Sequence, residues 1–336
     1  MVHYRIVALE AVHSAPPDLE LPHPHTYDIT VYQRTEPHEL HDRIRDADII
    51  INILHPIRAA ALDPAVTPNL KKIAINAVGT DIVDLDACRK RGIRVTNCAG
   101  SNVQSVTEHA LSLYFAARRR TLIMHERTVG TLGDGREWVA EETLTPHMRC
   151  AGRAPLNCDE EVVAIIGNGA IGKRFAHLVR LLGMRVVVAS RKGDSKPQAD
   201  RVSFDEALSM ATVVMLSCPR TPDTMNLIST PEFEKMRPEA VLINVSRGGI
   251  ADEAALVQAL RDGQIAGAAT DVFSQEPACG GEHANNILLG PETRGLNLTV
   301  SPHVAWFGER TMENYKSILK ANIEGWVAGK EQNVVA

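Results

Sequence analysis

The 336-residue sequence has no C-x-x-C pair, no surplus of basic charge, no apolar run of membrane-spanning length and no long low-complexity tail. Each absence removes a class of function. Cys88, Cys98, Cys150, Cys158, Cys218 and Cys279 lie scattered, so reduced thiols are expected rather than a disulfide framework or a zinc site. Four histidines, His23, His25, His38 and His41, cluster early. His23-Pro24-His25 sits in a proline-rich loop without a partner at metal spacing; these histidines read as surface residues and no metal is expected. A formal net charge of −5 argues against a nucleic-acid partner. No stretch approaches the roughly 18 apolar residues of a membrane helix. The N-terminus lacks the order of a secretory signal, and Val334-Val335-Ala336 is no peroxisomal address, so a cytoplasmic location is expected.

An apolar fraction of 44% and a charged fraction of 23% suit a globular chain, long enough for one large domain or two ordinary ones. Strand-like apolar runs alternate with amphipathic helical stretches, the pattern of an α/β protein with parallel sheets. The early strands fall at 4–9, 48–54, 72–76 and 92–97, with helices at 38–47, 84–91 and 103–118. Periodicity fades over 128–158, where glycine and proline recur; so long an irregular stretch is functional, an arm or a domain connection. Five further strands at 161–166, 185–189, 212–216, 240–245 and 265–269 form a doubly wound nucleotide-binding unit. A strand at 298–300 and an amphipathic helix at 309–328 close the chain.

Between the strand at 161–166 and the next helix stands Gly167-Asn168-Gly169-Ala170-Ile171-Gly172. A G-x-G-x-x-G alone is weak evidence, but strand before and helix after are the context its physics requires. Gly167 permits the tight turn, Gly169 the approach of backbone to a pyrophosphate, and Gly172 close helix–strand packing. The helix N-terminus then offers its unpaired N–H groups to phosphate. About twenty residues on, an NAD enzyme carries an acidic residue for the ribose hydroxyls. Here the strand ends in Ser190-Arg191-Lys192. A small hydroxyl followed by two cations accommodates a 2′-phosphate that a carboxylate would repel, so NADP(H) is expected over NAD(H), with use of both left open.

Three short segments lie downstream: Asn244-Val245-Ser246-Arg247-Gly248-Gly249, Asp271-Val272-Phe273-Ser274-Gln275-Glu276-Pro277, and Ser301-Pro302-His303. Taken singly, Arg247 can be a capping arginine, Glu276 a turn carboxylate and His303 a core histidine. Together with Val78-Gly79-Thr80-Asp81, Ser105-Val106-Thr107-Glu108-His109-Ala110 and Pro219-Arg220-Thr221-Pro222-Asp223-Thr224, they occur in an order that resembles the D-isomer-specific 2-hydroxyacid dehydrogenase family over nearly the whole length. That resemblance implies two doubly wound domains, a Rossmann-type nucleotide domain at 104–298 and a flavodoxin-like substrate domain at 1–103 plus 299–336, with an arm near 127–158 and the active site in the cleft.

The resemblance also implies roles. Arg247 would bind a substrate carboxylate with paired hydrogen bonds, helped by the backbone N–H groups of Val78 and Gly79. His303 would be general acid in reduction and base in oxidation, and Glu276 would orient it and favour its charged form. Asp271 would lie near the nicotinamide carboxamide, and Cys218, Pro219, Thr224 and Val245 near the cofactor. The expected reaction is NADPH-dependent reduction of a small 2-keto acid, glyoxylate or hydroxypyruvate, by a homodimer. Two readings stand beside it: a reductase of a larger 2-keto acid, and a nucleotide-sensing regulator on the same scaffold. The chain departs from the family at Leu156-Asn157-Cys158-Asp159-Glu160, which lacks the usual Gly-Lys, and most of all over 127–155. Trp306 resembles the tryptophan that follows the histidine in hydroxypyruvate reductases; an indole there would close the pocket around small substrates, or serve equally well as packing.

Overall fold

In the computed structural model the named strands of the described residues pair in parallel throughout, in two sheets. The structure describes residues 1–133, 135–150, 152–194 and 198–336. Two compact units divide it, Met1–Asn102 with Phe307–Ala336, and Val103–Trp306.

The smaller unit contains β1 (His3–Ala8), β2 (Thr26–Val31), helix α1 (Leu40–Ile44), β3 (Ile49–Asn52), β4 (Lys72–Ile75), helix α2 (Leu85–Arg91) and β5 (Arg94–Thr96). Its sheet runs β2-β1-β3-β4-β5, the flavodoxin-like order. Ile49, Ile50, Ile51, Ile73, Ala74 and Ile75 are all buried, because a parallel sheet covered on both faces needs apolar side chains in both directions. Asp84 caps α2 by accepting the Ala87 N–H at 2.9 Å, and Gly92 ends it in a left-handed conformation. The expected helix at 38–47 is shorter: a 3-10 turn at Pro37–Glu39 precedes α1. Strand β2 falls outside the strands expected from the sequence. It is an edge strand, mostly exposed, directly after a proline-rich stretch.

The larger unit opens with α3 (Val103–Arg118), α4 (Thr121–Val129) and α5 (Glu137–Glu141). The stretch expected to be irregular thus carries short helices, though positions 134 and 151 of the expected arm lie outside the described residues. Then follow β6 (Val162–Ile166), α6 (Ala170–Leu181), β7 (Arg185–Val188), α7 (Phe204–Met210), β8 (Val213–Leu216), α8 (Thr230–Phe233), β9 (Val241–Asn244), α9 (Glu253–Arg261), β10 (Gly267–Thr270) and β11 (Leu298–Val300). The order β11-β10-β9-β8-β6-β7 continues through a single bridge from Ala189 to Val202, which completes the 3-2-1-4-5-6 sequence of a dinucleotide-binding sheet. Because β11 pairs with β10, residues 298–306 belong with this unit, and the expected boundary near 299 moves to 306.

Alternation along the strands builds two cores. Val163, Ile165, Val213, Met215, Val241 and Ile243 face α3 and α6; Ala164, Ile166, Val214, Leu216 and Leu242 face α7 and α9. The last helix, α10 (Glu309–Val327), belongs to the smaller unit, where Trp326 packs edge-on against Tyr4 at 5.6 Å. After it the chain returns to β5, with the Val95 N–H donating to Ala336 O at 2.8 Å.

One buried ion pair fastens α3 to the strand starts of the larger sheet. Arg118 donates through Nε and Nη2 to Glu161 at 2.5 and 2.9 Å, and to the carbonyls of Glu239 and Thr212 at 2.7 and 2.8 Å. The Tyr114 hydroxyl donates to the same carboxylate at 2.9 Å. Removing one member strands a desolvated charge, so Arg118→Met is expected to cost about 3–5 kcal/mol of unfolding free energy by urea denaturation. A loss within about 1 kcal/mol would show the pair to be dispensable.

Candidate active site

The glycine loop sits where β6 meets α6, and the structure gives each glycine a distinct physical reason. Gly167 has φ +103°, and a side chain there would collide with the Ser217–Cys218 backbone. At Gly172 a methyl group would strike the Gly167 carbonyl and the Ser217 hydroxyl, so helix and loop touch there. At Gly169 nothing lies within 4 Å of the added carbon, which opens the α6 N-terminus to an approaching group. Asn168, Ala170 and Ile171 complete the turn and the first helical residues.

At the end of the next strand Ser190 is 5% exposed, and its hydroxyl has no hydrogen-bond partner among the described residues. Arg191 is exposed, its N–H donating to Asp194 at 3.2 Å. Lys192, expected to join it at a phosphate, differs: its ammonium lies 2.9 Å from buried Glu232 and donates to Leu227 O at 3.4 Å. Cys218 and Val245 are buried at the ends of β8 and β9, and the Ser246 hydroxyl donates to the Cys218 carbonyl. The Thr224 hydroxyl donates to Pro219 O at 2.8 Å, closing that loop on itself.

Arg247 follows β9 in a turn held by Asn244, which accepts the Ser246 N–H at 3.1 Å and donates to Arg247 O at 3.0 Å. Its own guanidinium donates to Ser246 O at 2.8 Å. Gly248 is required next, because any side chain there would overlap the Phe273 backbone. The arginine turn therefore lies against the segment that carries Glu276. Glu276 Oε1 accepts the Phe273 N–H at 2.9 Å, and Oε2 accepts from His303 Nδ1 at 2.6 Å. Burial pushes this carboxyl up, but the His303 hydrogen bond and charge, the Phe273 N–H and the positive charge of Arg247 outweigh it and hold it below the usual value.

His303 adopts φ +55°, a conformation that costs a non-glycine residue about 1–3 kcal/mol. Asp271, 1% exposed, holds it there. Its backbone carbonyl accepts the His303 N–H at 2.7 Å, Oδ1 accepts the Val304 N–H at 3.0 Å, and Oδ2 accepts the Ala305 N–H at 2.8 Å. Both carboxylate oxygens are thus engaged by the turn itself, a bracing role that the sequence did not suggest. Trp306 adds to it, its indole N–H donating to His303 O at 2.8 Å. Ser301 and His109 complete the group: the Ser301 hydroxyl donates to Asp271 Oδ1 at 2.6 Å and meets His109 Nε2 at 2.8 Å. Only the presence of His109 within the Ser105-to-Ala110 segment hinted at it. Val78 and Gly79 belong to the smaller unit, where the Asn97 amide donates to Val78 O at 2.7 Å.

A protein-family profile described as D-isomer specific 2-hydroxyacid dehydrogenase, NAD binding domain, matches residues 117–305. A glycerate dehydrogenase of Methylorubrum extorquens is 38% identical over 314 residues, covering 93% of this chain and 92% of that protein. A glyoxylate reductase of Aeropyrum pernix is 31% identical, covering 90% and 88%. Among solved structures, a protein of Thermus thermophilus is 27% identical with a TM-score of 0.74, covering 99% of this chain and 100% of that one.

The glycine geometry separates two effects of one substitution. Gly172→Ala is expected to lower the melting temperature, because backbone must move to admit the methyl group. Gly169→Ala is expected to leave melting unchanged and weaken dinucleotide binding by about tenfold, or about 1.4 kcal/mol, in a fluorescence titration. Unchanged dinucleotide affinity in folded Gly169→Ala would remove the loop from the binding site.

Proposed function

This chain belongs to the D-isomer specific 2-hydroxyacid dehydrogenase family, and from that premise we propose that it reduces a small 2-keto acid, glyoxylate or hydroxypyruvate, with NADPH. The observation that carries the reading is the 2.6 Å hydrogen bond from His303 Nδ1 to Glu276, on the same unit as Arg247 and the glycine loop. The names of the relatives, glycerate dehydrogenase and glyoxylate reductase, support a small acid as substrate.

The residues present fit a dinucleotide. The open face at Gly169 admits a pyrophosphate at the α6 N-terminus, and the unpartnered Ser190 hydroxyl suits a ribose phosphate. Ser190 and Arg191 would hold the 2′-phosphate; Lys192 is assigned no part while Glu232 holds it. When bound, the nicotinamide supplies the hydride that adds to the keto carbon.

The chain's own groups do the rest. The Arg247 guanidinium binds the substrate carboxylate and polarises the neighbouring carbonyl, whose electron pair moves onto oxygen as the new bond forms. A carboxylate only accepts hydrogen bonds, so the pair with Glu276 fixes the proton on His303 Nδ1. Nε2 is then the ring atom that gives its proton to the forming alkoxide, and in the reverse direction takes it back. Glu276 stabilises the imidazolium before that transfer.

His303→Ala is expected to lower kcat by about 10²–10⁴-fold while cofactor affinity stays within about threefold. Arg247→Gln is expected to raise KM and lower kcat together. Both are read from NADPH oxidation with glyoxylate, hydroxypyruvate and bulkier 2-keto acids. Near-wild-type turnover by His303→Ala would refute the acid–base role. Ser190→Asp is expected to shift preference toward NADH by about tenfold or more; equal rates with NADH and NADPH in the wild type would refute the cofactor assignment alone.

A further inference from the structure

The reading of His303 as general acid requires its strained turn to stay in place, and the structure shows what does this. We propose that His109 is a positioning residue for His303, acting through Ser301 and Asp271; the proposal rests on the function inferred above. His109 lies on α3, 194 positions before His303, and pairs with Ser301 and Asp271. Its link to the turn runs through two groups in three steps. Nε2 is 2.8 Å from Ser301 Oγ, Ser301 Oγ is 2.6 Å from Asp271 Oδ1, and the Asp271 oxygens hold the N–H groups of residues 304 and 305.

The chain of donors has one consistent direction. Asp271 accepts backbone N–H bonds on both oxygens, so it acts as a carboxylate and the Ser301 proton must point toward it. The Ser301 oxygen is then an acceptor toward His109, which must carry its proton on Nε2. The His109 N–H thus orients the hydroxyl, and the hydroxyl completes the shell of a carboxylate that is 1% exposed. Nε2 also stands 3.6 Å from Asp271 Oδ1. An incompletely satisfied buried carboxylate would relax toward other donors and release the amides that hold φ +55° at His303.

Three substitutions and two readouts test this. His109→Phe removes the donor at similar volume, His109→Gln restores an N–H at nearly the same reach, and Ser301→Ala breaks the link without touching the helix. Amide hydrogen exchange at residues 303–305 reports on the turn without any substrate. The expected result is exchange faster by roughly tenfold or more in His109→Phe and Ser301→Ala, with protection recovered in His109→Gln. In turnover assays kcat is expected to fall by about tenfold or more in the same two variants, with cofactor affinity unchanged and kcat recovered in His109→Gln. Unaltered exchange at 303–305 in folded Ser301→Ala and His109→Phe would overturn the proposal, as would a His109→Gln variant no better than His109→Phe. A wild-type protein silent on every 2-keto acid would instead defeat the functional reading, while the exchange data would still decide the positioning role.

Discussion

A single buried carboxylate, Asp271, sets the geometry on which the candidate active site depends. It stands at the end of β10, and its backbone and side chain together accept from residues 301, 303, 304 and 305. The turn so held begins right after β11, the strand that completes the sheet beside β10. Sheet pairing therefore fixes where Asp271 is, and Asp271 fixes the backbone of His303. The side chain of His303 is fixed separately, by Glu276. Backbone and ring are thus constrained by two different carboxylates, one buried and one partly open to solvent. A general acid needs both, since a correct turn with a free ring would spread the proton donor over several rotamers.

The same economy of contact shapes the neighbouring segments. Gly248 brings the Arg247 turn against the Phe273 backbone, and the Phe273 N–H in turn binds Glu276. Main chain thus holds the arginine and glutamate segments together, and the guanidinium charge lowers the Glu276 pKa. On the cofactor side, an open N-terminus at α6 and an unpartnered buried hydroxyl at Ser190 are features that a dinucleotide would complete.

Much of this was legible in the sequence, for identifiable reasons. Strands buried on both faces, such as Ile49–Asn52 and Val213–Leu216, announce themselves as continuous apolar runs. Thr26–Val31 did not, because an edge strand with exposed side chains carries no such signal. The three-residue strand Leu298–Val300 was visible, but its partner was not, and that misplaced the unit boundary. Glycine, arginine, glutamate and histidine stood out in short segments whose types and order suggested their chemistry. His109 did not, since it lies inside a helix and its partner Ser301 is 192 positions away. Lys192 shows the same limit: local sequence displays a cation, while its partner Glu232 lies forty positions later. Local pattern reveals which groups are present, and only tertiary pairing reveals which are already engaged.

A crystal structure with NADP and oxamate, an unreactive analogue of a 2-keto acid, shows whether Arg247 and His303 act on one substrate. The expected complex has the oxamate carboxylate on the Arg247 guanidinium and its amide oxygen about 2.6–3.2 Å from His303 Nε2, with Nδ1 still bonded to Glu276. Oxamate bound with its carboxylate away from Arg247, or with its amide oxygen beyond reach of His303, would contradict it.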